Sequence, residues 1–149
     1  MIDGVQIIPL SQILDYRGKI MKMMDINSPY FSKFGEIYFS SIHSGIVKAW
    51  HIHKEMELNY VCVTGKILLV LQDWRLDSPT HRETMEIYLS PEDYKLVKVP
   101  TYILNGFKGL GGTDSIVANL ATVPHSEKEV TRISIDDMSR YYDWWKRGE

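Results

Sequence analysis

The chain of 149 residues has a single cysteine, no long apolar run and no surplus of either charge. A lone thiol excludes an internal disulfide, and the apolar setting of Cys62 in "NYVCVTG" marks it as buried filler. No stretch approaches the roughly 18 apolar residues of a spanning helix, and "MIDGVQIIPL" lacks the basic start and apolar core of a signal peptide. A cytoplasmic protein with no membrane partner is expected. Seventeen Lys and Arg against nineteen Asp and Glu leave a net charge of -2, so no global field recruits nucleic acid. No repeat, low-complexity tract or linker divides the sequence, and its length suits one domain, 1–149.

What the sequence does have is short segments rich in β-branched and aromatic residues, broken by turn formers every eight to twelve positions. This rhythm belongs to an all-β sandwich or barrel. The segments 36–42, 46–53, 59–64, 66–74, 84–90, 95–100 and 115–123 are the predicted strands. The break at Gly65 is too short for a crossover and predicts an antiparallel hairpin across it. "LDSPT" (76–80), "SPED" (90–93) and "GLGGTD" (109–114) read as loops. Toward the N terminus a strand, turn, strand unit is expected around Arg17 and Gly18, with a short helix at 10–14 as an option. In "SIDDMSRYYDWWKRG", Ser134 or Asp136 suits an N-cap and Gly148 a stop, which predicts one short C-terminal helix. Met138, Tyr141, Tyr142 and Trp145 would form its buried stripe.

"KAWHIHKEMELNY" (48–60) carries the densest chemistry. Side chains at i and i+2 of a strand share a face, so His51 and His53 project together while Trp50 and Ile52 point the other way. Glu57 can return to the histidine face after a turn. The three residues suit a first-row transition metal, a proton-transfer site, or plain hydrogen-bonded structure, and the spacing alone leaves these open.

The pattern Gly45, His51, His53, Glu57, Gly65 is similar to the first cupin motif, which implies a jelly roll, the double-stranded β-helix. Cupins that hold a metal complete the site with a histidine after a Pro-x-Gly turn. In "PTYILNGF" Tyr102 stands for that glycine and Asn105 for that histidine, so His51, His53 and Glu57 would be the ligands if a metal were held.

Five pieces in order resemble the dTDP-4-dehydrorhamnose 3,5-epimerase family, a branch of the cupins. They are "DYRGKIMKM" (15–23), "VKAWHIH" (47–53), the long segment 71–100, "PTYILNGF" (100–107) and "PHSEKEVTRISIDD" (124–137). The resemblance implies an isomerase that takes a proton from a carbon beside the C4 ketone of a nucleotide-linked sugar and returns it on the opposite face. No cofactor is needed for that shuttle, and pairing of N-terminal strands implies a homodimer. His51 matches the family's base, with Asp136 or Asp137 as its carboxylate. His53 would be a second acid/base or polar contact. Arg17, Lys48 and Arg75 fall where cations hold the diphosphate.

Several positions depart from the family pattern. Lys48 replaces an arginine, His53 a glutamine, Asn59 the lysine that steadies the enolate, and Asn105 a histidine. The tyrosine that serves as acid is missing from "NLATVPH", where His125 is a candidate replacement. "HIHK" also resembles the related sugar 3,4-ketoisomerases, whose paired histidines move a proton between adjacent carbons. A non-catalytic sugar-nucleotide or metal-binding cupin is the remaining alternative.

Overall fold

The structure is a computed structural model that describes residues 1–139 and 141–146. Among these residues it contains strands and turns and no helix. One five-stranded antiparallel sheet has β1 (Gln6–Pro9), β9 (Lys95–Val99), β6 (Leu58–Thr64), β11 (Ser115–Ala121) and β4 (Glu36–Ile42) in that order. The facing sheet runs β12 (Val130–Arg132), β5 (Val47–His53), β10 (Ile103–Leu110), β7 (Lys66–Asp73) and β8 (Thr84–Leu89). A hairpin of β2 (Gln12–Asp15) and β3 (Gly18–Met21) stands apart from both. The sandwich is the expected jelly roll.

Three apolar layers hold it together. Between the sheets lie Leu58, Tyr60, Ile67, Leu69, Val97, Phe107 and Val117. The outer face of the first sheet, with Val61 and Leu96, is covered by the N-terminal segment through Leu10, Met23 and Met24. The outer face of the second, with Leu68, Val70 and Trp50, is covered by Met138, Tyr142 and Trp144. The central strands are therefore buried on both faces, which is why "KILLVLQD" is continuously apolar over the five positions after Lys66. Cys62 lies in the inner layer, where burial pushes its thiol up to about 11 and leaves it inert.

Four local expectations are corrected. Gly65 does not close a hairpin, because β6 pairs with β9 and β11 while β7 pairs with β8 and β10. The chain instead crosses from one sheet to the other at Gly65, where φ is 80° and an added Cβ would lie 2.2 Å from the Ser115 hydroxyl. That hydroxyl accepts from the Lys66 amide at 2.9 Å and seals the corner. The 10–14 region forms β2 rather than a helix, although the strand, turn, strand unit is present. Residues 103–110, expected as turn and loop, form the fully buried β10. Its glycines make it possible, since a Cβ on Gly106 would meet that of Ala49 at 2.4 Å.

The C-terminal tail is a series of turns, with Arg140 and Gly148 outside the described residues. Tyr142 and Trp144 both pack on Trp50, at ring centroid distances of 5.8 and 5.1 Å, while Tyr141 and Trp145 are exposed. Residues two apart cannot share one helix face. Burying both rings requires an extended step, and the Asp143 carboxylate accepts the Trp145 amide at 2.9 Å just beyond it.

Candidate active site

The site begins with an irregularity in β5. Pairing with β10 runs Val47 to Lys108, Lys48 to Phe107 and Ala49 to Gly106, then skips Trp50 and resumes with His51 opposite Asn105. One extra residue in a strand reverses the inward and outward alternation beyond it. Lys48, His51 and His53 consequently face the interior together, and Trp50 enters the outer core.

These side chains line a cavity of about 350 Å³ between the sheets. One wall carries Glu36, Tyr38 and Ser40 of β4 with Asn119 of β11. The other carries Lys48, His51 and His53 of β5 with Arg132 of β12. Met56, Tyr60 and Phe107 are buried and form the apolar floor. His125 and Arg132 are half exposed and stand at the rim, with Glu127 hydrogen-bonded to both. Lys48 Nζ donates to Ser40 Oγ at 3.1 Å and to the Ser41 carbonyl, bridging the two walls.

The two histidines differ in their company. His53 Nδ1 lies 2.6 Å from Glu129 Oε1, and Glu129 is almost fully buried. Burial pushes the Glu129 carboxyl up, but His53 and the Glu55 and Met56 amides outweigh it and hold the group below its ordinary value. An ionised carboxylate only accepts, so Nδ1 carries the hydrogen and Nε2 is left available. His51, whose ring centroid is 6.4 Å from that of His53, has no side-chain hydrogen bond among the described residues. Burial, then His53 and Arg132, lower its pKa, so it is neutral at physiological pH. The cavity thus holds an unprotonated imidazole beside one whose tautomer is fixed, a pair suited to moving protons on and off carbon.

The pattern of the dTDP-4-dehydrorhamnose 3,5-epimerase family matches residues 1–149. The chain belongs to that family. A dTDP sugar isomerase of Desulfovibrio desulfuricans G20 superposes with a TM-score of 0.92 at 34% identity, over 99% of this chain and 94% of that one. The spore coat polysaccharide biosynthesis protein SpsL of Bacillus subtilis is 28% identical over 97% of both chains. The probable low-salt glycan biosynthesis epimerase Agl13 of Haloferax volcanii is 29% identical over 96% of this chain and 94% of its own.

Several residues expected at the site of this epimerase-family chain lie elsewhere. Asp136 and Asp137 are exposed in the turns after β12 and do not line the cavity; the carboxylate beside a histidine is Glu129, and its partner is His53. Asn59 is buried on the outer side of its sheet, where its amide donates to the Leu120 carbonyl at 2.8 Å; alternation along β6 turns Tyr60 inward instead. Asn105 lies beneath the cavity wall. Its Nδ2 donates to the His51 carbonyl at 3.1 Å and its Oδ1 accepts from Tyr60 at 3.2 Å, so it supports the bulge rather than a substrate.

Arg75 forks onto the buried Asp73 carboxylate with two bonds of 2.9 Å, and Ser78 and Thr80 donate to the same group. It organises the 73–80 loop. Arg17 is at the tip of the hairpin, paired with Asp15 and remote from the cavity of its own chain. Glu57 does not join His51 and His53, because its carboxylate sits near Ser32 and 3.9 Å from Lys98. Among the described residues no three His, Cys, Asp or Glu side chains converge on a metal position. These donors do not fit the metal-cupin set.

Lys48, His51, His53 and His125 are brought together in the lining of the cavity. Tyr38, Asn119 and Arg132 also line it, and Glu129 stands behind His53. Glu129 and Arg132 carried no motif of their own, but the run from Glu127 to Arg132 holds four charged residues and a single apolar one, Val130, the charge-rich composition of a short edge strand.

Proposed function

We propose that the chain is an isomerase of nucleotide-linked 4-keto-6-deoxyhexoses that inverts C3, C5 or both through proton abstraction beside the ketone. The observation that carries this is the histidine pair, one ring neutral and unbonded, the other oriented by an ionised carboxylate. His51 is the base, as its correspondence with the family motif and its neutral state support. His53 is the second proton-transfer group, and Glu129 stabilises the imidazolium form it passes through. Lys48 and Arg132 at the rim hold the diphosphate. The cavity volume suits a hexose with its attached phosphates reaching the rim. Proton transfer involves no change in oxidation state and calls for no redox cofactor. The glycan-synthesis names of SpsL and Agl13 support a place in polysaccharide assembly.

The working unit we propose is a homodimer. Ile13, Leu14 and Ile20 on the hairpin and Ile37 and Phe39 on the edge strand β4 are all exposed, an apolar surface that a second copy would cover. The hairpin also carries Arg17, which pairs with Asp15 and does not line the cavity of its own chain. Sedimentation of the wild type and of an Ile20→Glu, Phe39→Glu variant tests this; a monomeric wild type would overturn it.

The function itself is tested with a dTDP-4-keto-6-deoxyhexose in D2O. Deuterium entering C3 or C5 with inversion is the expected result, and no exchange with any such sugar would leave a binding cupin as the reading. The placement of both histidines on one wall also suits a 3,4-ketoisomerase, which moves a proton along one face. A product whose ketone has moved from C4 to C3 would establish that reaction instead.

A further inference from the structure

Inversion needs an acid across the sugar from the base, and the cavity wall that faces the histidines holds a candidate away from the segment where the family carries its acid. We propose that Tyr38 is the catalytic acid that protonates the enolate carbon on the face opposite His51. The inference rests on the epimerase reading above and deepens it.

Tyr38 lies on β4, with Glu36 and Ser40 on the same inward face, while His51 and His53 project from β5 in the other sheet. A sugar ring between the sheets therefore has imidazoles on one side and the phenol on the other. The state of the phenol is set by Asn119. Its Oδ1 accepts the Asn59 backbone amide at 2.9 Å, which fixes the orientation of the side-chain amide. Its Nδ2 must then face Tyr38, and it donates to the phenol oxygen at 3.0 Å. Because Tyr38 accepts this bond, its own hydrogen points elsewhere and is available to the cavity. The same bond stabilises the phenolate left after proton transfer. Burial, with Glu36 and Glu129 adding to it, raises the Tyr38 pKa and keeps the phenol protonated beforehand.

The other candidates are engaged differently. Tyr60 is enclosed and donates its hydrogen to Asn105 at 3.2 Å. His125 is at the rim, bonded to Glu127 at 2.9 Å and half exposed.

The proton balance closes without a further reagent. His51 takes the proton from the carbon beside the ketone, and the C–H electron pair becomes the enolate. The enolate carbon then takes the Tyr38 hydrogen on its opposite face and restores the ketone. Imidazolium and phenolate remain, and solvent carries one proton from the first to the second.

The experiment compares wild type, Tyr38→Phe and His125→Ala with dTDP-4-keto-6-deoxyglucose in D2O, following inverted product and deuterium in uninverted sugar separately. Tyr38→Phe is expected to lose inverted product by roughly 100-fold or more. Its loss of exchange should be smaller, because exchange needs only the base. Inverted product within threefold of wild type in Tyr38→Phe would overturn the assignment, as would a loss confined to His125→Ala. A wild type that neither exchanges nor inverts would sink the epimerase reading itself, an outcome distinct from both. Replacing Tyr38 by 3-fluorotyrosine guards against a folding defect. Its more acidic phenol is expected to move the alkaline limb of kcat to lower pH, and an unmoved limb would count against the role.

Discussion

Replacing Glu129 by glutamine removes one charge and almost no volume, yet the geometry implies a large effect. Three donors converge on the Glu129 carboxylate: His53 Nδ1 at 2.6 Å and the Glu55 and Met56 amides at 3.2 Å each. A glutamine has one acceptor oxygen. If that oxygen faces His53, its NH2 group is turned against the two backbone amides; if it faces them, His53 loses its acceptor. The side chain is only 3% exposed, so water does not make good the loss. Weighing lost charge-assisted bonds against unsatisfied donors gives a cost of about 2–4 kcal/mol. In a chain of this size that is a fall in Tm of roughly 5–15 °C. The sign with pH follows from linkage. The folded pKa of Glu129 is below its ordinary 4.5, so the wild-type advantage is complete above pH 4.5 and is lost as pH falls through the folded value. Urea unfolding of both proteins between pH 7 and pH 3 measures it. Catalysis should fall by roughly 100-fold or more, because His53 no longer has a fixed tautomer. Equal stability at pH 7, or a difference that widens as the solution is acidified, would refute the reasoning.

His51→Asn should abolish deuterium exchange, a loss of roughly three to four decades, with little change in Tm, since the ring makes no hydrogen bond among the described residues. Because burial lowers the His51 pKa, the acid limb of wild-type kcat/KM should fall below pH 6.5, and a midpoint above that value would contradict the base assignment. Lys48→Ala should raise KM for the sugar nucleotide about tenfold with kcat nearly unchanged, as loss of uniform binding does; steady-state kinetics showing the reverse split would place Lys48 at the reacting centre. Asp73→Ala removes a fully buried acceptor shared by Arg75, Ser78 and Thr80, and should cost about 3–5 kcal/mol in chemical unfolding. Turnover per folded molecule should persist in that variant, whereas selective loss of diphosphate binding would restore Arg75 to the site.

The fold was legible because it rests on local signals. Alternation and turn spacing marked seven strands, and those strands pair as a jelly roll. What failed did so where tertiary context overrode local preference. Gly65 looked like a hairpin turn because turn chemistry says nothing about which sheet receives the next strand. The sequence of β10 contains two glycines, an asparagine and a lysine, and reads as loop until Ala49 and His43 are seen pressing on Gly106 and Gly109. The tail carries helix signals at both ends, but Trp50 offers a flat aromatic surface that takes Tyr142 and Trp144 together, and no helix can present both.

The site shows the same division more sharply. His51 and His53 were legible because a two-residue spacing needs only a strand to become a shared face. Lys48 is three residues from His51 and would point away in a regular strand; only the bulge at Trp50 brings it inward, and the bulge depends on Asn105 and Gly106 some fifty residues later. Glu129 is further still from any local signal. Its place beside His53 follows from the pairing of Val130 with His53 in a strand three residues long, a register no periodicity could announce. The family correspondence placed the supporting carboxylate at Asp136 or Asp137, while the strand register puts one at Glu129. A chain that keeps a histidine and carboxylate couple while moving both members can preserve proton transfer even where the motif that names it has gone. The same reasoning applies across the cavity, where Tyr38 stands on β4 and the residue bonded to its oxygen is Asn119 of the adjacent strand.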